Sequence, residues 1–305
     1  MVGGEGGPGR TPARLSSAAL NSAEPGPAEL DLAGPDPADS DPADSGPAGL
    51  APEVREAYDA AAAGWAEGPE RVYTPLARAL VGAAPLPVTG RRVLDLGAGT
   101  GVAGRAALAA GAHWVVSADL AVAMLSRTGP AQAPVAADAA ALPFRDQAFD
   151  LVVAAFCLNH LSRPAAALRE IRRVGRSLAA STFAPGWTHP AKLAVDEALR
   201  PFGFQPPAWY RSLQREAGPA ALDPARLAAH ASAAGFTGVR VRTMTVPTGL
   251  SAPAQLASWR LGLAQVAPFL QSLDAGQLAA ARRAAEQAVA GTGPLVVSML
   301  VLTGR

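Results

Sequence analysis

The segment Val93-Leu-Asp-Leu-Gly-Ala-Gly-Thr-Gly101 constrains this chain more than any other. An apolar run meets glycines at alternate positions, and an Ala-rich stretch from 101 to 110 follows. The pattern predicts a strand, a sharp turn and a helix start. Glycine serves where the backbone turns sharply or where a ligand must approach the main chain closely. Amides left free at the helix N-terminus favour an anionic group. Asp95, at the end of an apolar strand, is costly there unless it meets a partner. A ligand carrying both a carboxylate and an ammonium answers both features, with the amides taking the carboxylate and Asp95 facing the ammonium. A rival reading stands beside it. Gly99-Thr-Gly101-Val-Ala-Gly104 also fits the G-x-G-x-x-G fingerprint of dinucleotide enzymes. That register would place Gly97-Ala98 in the strand and give Asp95 no task near a pyrophosphate.

Strand and helix signals alternate on either side of this segment. Residues 53–66 and 70–82 read as helices, with Val54, Tyr58 and Trp65, then Val72, Leu76 and Leu80, at helical spacings. Strands are expected at 92–96, 114–118, 135–137, 149–156 and 178–183, with helices at 101–110, 121–127 and 164–174 between them. The nearly continuous apolar run 149–156 suits a strand covered on both faces. This alternation predicts an α/β fold, a doubly wound and mostly parallel sheet. After Ala184 it stops. Residues 185–221 hold six prolines, and Phe183, Trp187, Phe202, Phe204, Trp209 and Tyr210 fall within a short stretch. A helix at 223–234, a strand at 239–246, helical stretches at 252–270 and 274–290, and a final antiparallel strand at 295–302 complete a seven-stranded sheet.

Residues 1–50 are of another kind, rich in Gly, Pro, Ala, Ser and Asp, with the tandem Asp36-Pro-Ala-Asp-Ser and Asp41-Pro-Ala-Asp-Ser. Such a composition cannot bury enough apolar surface to offset its conformational entropy, so a disordered tail is expected before a domain spanning 51–305. The formal net charge of +1 sets up no global field for nucleic acid or an anionic membrane. Lys192 is the only lysine among 26 basic residues. The single cysteine, Cys157, excludes an internal disulfide, and its apolar neighbours favour a buried small hydrophobe over a reactive thiol. Met1–Arg10 has no apolar h-region and the chain no 18-residue apolar run, so a cytoplasmic protein without a membrane span is expected. Four scattered histidines and one cysteine predict no metal site.

Two further carboxylates follow strands. Asp119 closes Val115-Val-Ser-Ala-Asp-Leu120, where a carboxylate can accept from both ribose hydroxyls. Asp138 follows the third strand in Val135-Ala-Ala-Asp-Ala139, where it and the next amide can read an adenine edge; a turn or cap role accounts for it equally. With these in place, the chain resembles the class I S-adenosylmethionine-dependent methyltransferases, and most closely their small-molecule, ubiquinone/menaquinone-type ("type 11") branch. Leu142-Pro-Phe-Arg-Asp-Gln-Ala-Phe-Asp-Leu-Val152 matches the family's passage into strand four. Phe156-Cys-Leu-Asn-His-Leu161 resembles its "LHH" segment, with Asn159 replacing one histidine, and Ala167–Val174 matches the next helix. The family's Pro-Gly-Gly turn before strand five is replaced by Gly175-Arg176-Ser177.

The resemblance covers roughly residues 55–183 and implies a Rossmann-like cofactor core at 91–183 with helical cap insertions. Asp95, Gly97, Gly99 and Gly101 would hold the methionine part of S-adenosyl-L-methionine and Asp119 the ribose. Leu120 and Met124 would pack near the adenine, and Asp138 with Ala139 would bind its edge. Segments 53–82, 185–221 and 252–290 would cap the cofactor and shape an acceptor pocket. Their aromatic bias favours a small apolar or aromatic acceptor, natural-product or quinone-like, over protein or nucleic acid.

His160 follows strand four where a substrate-side group would lie; a helix-start or packing role fits it as well. His189 lies in the aromatic insertion and would face the acceptor, or stand as an exposed loop residue. The run Arg169, Arg172, Arg173, Arg176 reads as a solvated helix face. Cofactor binding without methyl transfer, a catalytically silent binding module and a nicotinamide-dependent reductase are the alternatives in function. The sequence sets no oligomeric state.

Overall fold

The computed structural model describes residues 52–161, 163–214 and 223–305; the expected 1–50 tail lies outside them. The strands form one seven-stranded sheet in the order β3-β2-β1-β4-β5-β7-β6. They are β1 Arg92–Leu96, β2 Trp114–Asp119, β3 Gln132–Ala136, β4 Leu151–Ala155, β5 Leu178–Phe183, β6 Arg240–Pro247 and β7 Val296–Gly304. The strands from β1 to β5 are mutually parallel, and β7 runs antiparallel between β5 and β6. Val93, Leu94 and Leu96 of β1 and Val152, Val153 and Ala154 of β4 are buried, as strands with helices on both faces require. The helices are α1 Pro52–Trp65, α2 Pro69–Gly82, α3 Val102–Ala109, α4 Val122–Leu125, α5 Pro164–Val174 and α6 Pro190–Leu199. After them come α7 Ala208–Ser212, α8 Pro224–Ala233, α9 Pro253–Leu261, α10 Ala267–Gln271 and α11 Ala275–Ala288. Several of these begin with proline, whose fixed φ suits the first turn and whose missing N–H costs nothing there.

Strand order reverses direction between β1 and β4, and in an open α/β sheet that switch point opens a crevice beyond the strands' carboxyl ends. The glycine segment crosses it. Above it, α1 and α2 are tied down at two points. Asp59 of α1 accepts from the Ala123 amide at 2.8 Å. Glu70 of α2 accepts from the Thr100 hydroxyl at 2.7 Å and from the Arg105 guanidinium. Where α2 begins, Gly68 lies so close to α9 that a Cβ there would fall 2.1 Å from the Ser258 carbonyl oxygen.

The structure departs from the sequence expectations at definite places. Strand β3 begins at Gln132, three residues early, and contains Pro134; it is an edge strand, where a missing N–H is tolerated. The helical stretch 252–270 breaks into α9 and α10 at Gly262, where α9 ends; a side chain there would strike Pro69. The Gly175 turn leaves strand five regular: Val152 to Ala155 pair in register with Leu178 to Ser181. A Cβ at Gly175 would meet Val152 Cγ2 at 2.4 Å, so the family's tight turn is met here by a single glycine.

The arginine run on α5 is not a purely solvated face. Arg173 donates to Glu170, Asp146 and the carbonyls of Leu142 and Phe144, pinning the 142–146 loop to α5. Arg172 donates to the Gly235 carbonyl at 3.1 Å and lies over the Phe236 ring. Among the described residues no helix is long and apolar enough to cross a membrane, and no group of histidine, cysteine and acidic residues could hold a metal ion.

Candidate functional site

A cleft at the switch point encloses about 1010 Å³ of free space, its open mouth included. Of the residues singled out from sequence, Asp95, Gly97, Gly99, Asp119, Leu120, Met124, Ala139 and His160 line it. Gly101 and Asp138 are not among its walls. Gly101 caps α3 with φ +83°, a conformation that side chains disfavour. Asp138 accepts from the Ala140 amide at 2.9 Å, so the turn role weighed for it is seen, while its neighbours Ala137 and Ala139 face the cleft.

The glycine turn works differently from the expectation that its amides stand free for a ligand. The Gly104 amide donates to Asp95 Oδ2 at 2.6 Å, and the Gly99 amide to Asp119 Oδ2 at 2.7 Å. The Gly97 amide goes to the Ala118 carbonyl and that of Gly101 to Ala98. The glycines therefore bring bare backbone to the cleft and lock two carboxylates in place. At Gly99, with φ +54°, a Cβ would stand in open space at the cleft wall. From behind, Gln132 fills the room under the turn: it accepts from the Ser117 hydroxyl at 2.6 Å and donates to the Gly101 carbonyl. Gln132 was not foreseen, since nothing in sequence links it to the turn.

Asp95 is buried, and its Oδ1 has no hydrogen-bond partner. Burial pushes its carboxyl up to about 7, opposed by the Gly104 amide. An orphaned carboxylate oxygen at the wall of a cleft is the partner that an α-ammonium group requires. Asp119 Oδ1 accepts from Ala121 at 2.9 Å, and burial raises its carboxyl against its three backbone hydrogen bonds. A carboxylate offers about four lone-pair directions, so acceptor capacity remains for ribose hydroxyls. The residues present fit S-adenosylmethionine.

His160 sits in the turn after β4. Its Nε2 lies 3.3 Å from the Tyr58 hydroxyl, its Nδ1 has no partner, and burial depresses the imidazole to about 4. His189 is neither exposed nor at the cleft: its Nδ1 accepts from the Ala191 amide and caps α6, and the ring packs edge-on to Trp259. Cys157 lines the cleft instead of sinking into the core; burial and the nearby Asp119, Asp95 and Asp138 carboxylates push its thiol up, so it stays protonated.

Part of the lining is aromatic. Tyr58 and Trp65 of α1, Tyr73 of α2 and Phe156 form it, in contact along the series with centroids 5.4–5.7 Å apart. Phe156 has φ +54°, rare for a bulky residue, and its amide is fixed by the Ser181 carbonyl. Its ring passes the contact on to Phe183, which stacks on Trp187 at 4.7 Å. The helical spacing of Tyr58 and Trp65 was legible in sequence, but not that their rings line a cleft together with Tyr73. Among the described residues, none of 185–221 or 252–290 lines the cleft itself.

Comparison with known proteins places this geometry. Residues 94–179 match the family model described as a methyltransferase domain. A demethylmenaquinone methyltransferase of Mycobacterium bovis is 37% identical over 169 residues, covering 51% of this chain and 70% of that protein. One from Mycolicibacterium paratuberculosis is 34% identical over 191 residues, covering 58% and 80%. In fold, the chain is similar to a crystal structure from Anabaena variabilis assigned as a methyltransferase of an antibiotic biosynthesis pathway. The TM-score is 0.54 at 16% identity, covering 77% of this chain and 99% of that one. Fold and cleft together define an α/β transferase that uses S-adenosylmethionine. The chain belongs to the class I S-adenosylmethionine-dependent methyltransferases, in their type 11 branch. That membership sets aside the nicotinamide reading of Gly99–Gly104.

Proposed function

We propose that this methyltransferase acts on a small, planar, largely apolar acceptor of the quinol or aromatic natural-product kind. The observation that carries the reading is the aromatic wall Tyr58, Trp65, Tyr73 and Phe156, which lines the same cleft as the carboxylates. Flat rings in contact suit a flat partner, because offset and edge-on ring pairs add about 0.5–1.5 kcal/mol each beyond area burial. The mycobacterial relatives, named for a demethylated menaquinone, support the same class.

The geometry supports the following roles. Asp95 Oδ1 receives the cofactor's ammonium, Gly97 and Gly99 admit its methionine part, Asp119 the ribose hydroxyls, and Leu120, Met124 and Ala139 the adenine. S-adenosylmethionine supplies a methyl group already activated on sulfur. The chain's own task is to exclude water and align the acceptor, and such positioning is worth roughly 7–11 kcal/mol. Helices α1 and α2, residues 53–82, roof the site, while 185–214 and 252–290 shape the acceptor side from behind the wall. A cytoplasmic setting and a place in secondary or quinone metabolism go with this reading; the free Cys157 thiol is compatible with a reducing compartment.

The test is methyl transfer from labelled S-adenosylmethionine to a panel of naphthoquinols, phenols, peptides and RNA. Product is expected among the aromatic small molecules. Transfer confined to peptide or RNA would overturn the proposal.

A further inference from the structure

Helix α2 carries two side chains, one turn apart, that reach different parts of the cleft. Tyr73 is a middle ring of the aromatic wall, stacked on Trp65 at 5.6 Å and edge-on to Phe156 at 5.4 Å. Glu70 reaches the glycine turn instead. One of its oxygens accepts from the Thr100 hydroxyl at 2.7 Å and the other from the Arg105 guanidinium. Arg105 also donates to the Thr100 carbonyl at 2.7 Å, which closes a ring of three residues. Thr100 is 2% exposed and lines the cleft, with its hydroxyl and its carbonyl both held.

The ring of contacts sits beside the donor's place. Thr100 lies between Gly99 and Gly101. Arg105 follows Gly104, whose amide fixes Asp95, and the arginine's charge opposes the rise that burial gives the Asp95 carboxyl.

A simpler role has to be weighed. An acidic residue in the first turn of a helix is favoured by the helix dipole whatever else it touches. That explains an acid at position 70, but neither its reach to Thr100 nor the arginine the two share. Nor is the ion pair a strong source of stability, since the Arg105 and Glu70 side chains are 38% and 23% exposed. What the contacts supply is geometry. A planar guanidinium bridging a carboxylate and a carbonyl fixes direction as well as distance.

We propose that Glu70 is a positioning residue for methyl transfer: its grip on Thr100 and Arg105 sets where Tyr73 stands relative to the glycine turn, and so couples the donor and acceptor sites. This rests on the reading of the aromatic wall as the acceptor side. A cofactor seated against the turn steadies Thr100 and, through Glu70, steadies α2 and the Tyr73 ring. Ordering already met by the first ligand is not met again by the second. The two ligands therefore bind cooperatively, and the coupling is the same in either order of addition. Glu70 touches no reacting atom; it acts through Thr100 and Tyr73.

The experiment uses the full chain and a flat phenolic probe, 2-naphthol, titrated by calorimetry at pH 8 with and without saturating S-adenosylhomocysteine. The ratio of the two affinities is the readout, because a merely structural Glu70 would change the melting temperature and leave the ratio alone. In the wild type, 2-naphthol is expected to bind at least about fivefold more tightly with S-adenosylhomocysteine present, the lower end of usual coupling between sites. Glu70→Ala should bring the ratio below twofold. Thr100→Val, which removes the hydroxyl and keeps the shape, should do the same and serves if the alanine variant does not fold. Thr100→Ser keeps the hydroxyl and should restore the wild-type ratio. A wild-type ratio under twofold overturns the proposal, as does coupling that survives in Glu70→Ala or Thr100→Val. Equal binding of 2-naphthol in both states would leave the aromatic wall standing as the acceptor side and remove this inference alone. No binding in either state would remove the reading of the wall, and the inference with it.

Discussion

The Tyr58 hydroxyl meets Nε2 of His160 at 3.3 Å, so a ring on the first helix touches the turn after β4 across the mouth of the cofactor cleft. The two rings are edge-on, at 88°. A histidine held between a phenol and apolar walls is neutral at pH 7, and burial takes it to about 4.

Such an imidazole is a weak proton acceptor, and a general base supplies roughly 10²–10⁴-fold. His160→Asn is therefore expected to lower kcat by less than about 100-fold with cofactor affinity preserved. Single-turnover methyl transfer across pH checks this. A larger loss, with disappearance of a rate limb near neutrality, would make His160 the base. The same shift affects stability. The folded group holds its proton less tightly than the unfolded one, so its contribution is full above about 6.5 and is lost as pH falls toward about 4. The melting temperature should fall over that window, and less steeply in His160→Asn.

Asp95 titrates in the opposite sense. Its carboxyl is raised to about 7 in the free protein, so folding favours the protonated form and loses stability as pH rises through 7. An ammonium-bearing ligand needs the ionised form. Affinity for S-adenosylhomocysteine should rise about tenfold from pH 6 to pH 8, and the thermal shift it gives should grow with it. Asp95→Asn should flatten both curves. Calorimetry at three pH values decides the matter, and a flat wild-type profile would contradict the ammonium role.

Replacing Asp119 by alanine removes both the acceptor of the Gly99 and Ala121 amides and the group proposed for the ribose. A loss of about 1.5–3 kcal/mol in S-adenosylhomocysteine affinity is expected, the scale of charge-assisted hydrogen bonds. An unchanged Kd by calorimetry would remove Asp119 from the site.

Gly68→Ala tests how the roof is seated. The added methyl would meet the Ser258 backbone, which has no free end to swing away. A loss of about 1–3 kcal/mol in folding stability is expected, as for other overpacked contacts. Gly99 offers the internal contrast, because an alanine there meets only open space and backbone strain. Urea titration of both variants compares them; a neutral Gly68→Ala would mean that α2 and α9 can separate freely.

Much of the sheet could be read from residues alone, because local chemistry set it. Arg92–Leu96, Pro164–Val174 and Leu178–Phe183 were legible to the residue: each is bounded by proline, glycine or charge and carries one uninterrupted pattern. What failed was non-local. The start of β3 depends on its place at the sheet edge, not on its composition. The end of α9 depends on Gly262 meeting Pro69 from another helix. In the site, the carboxylates announced themselves as charges among apolar neighbours. Gln132 and Tyr73 did not, since each acts on a partner more than 20 positions away. His189 misled for the same reason: its ring is committed to its own helix start.

The order β5-β7-β6 has a consequence for how the sheet is made. Strands β5 and β6 are not paired with each other; β7 lies between them and is the one strand with which β6 pairs. While the chain is being synthesised, the parallel half can assemble on its own residues, yet β6 waits with both edges unpaired until 296–304 leave the ribosome. Arg240 and Arg242, exposed on β6, are charges of the kind that discourage an unpaired strand edge from joining another chain. A nonsense codon inside β7 would therefore remove two ladders at once and leave β6 without any partner.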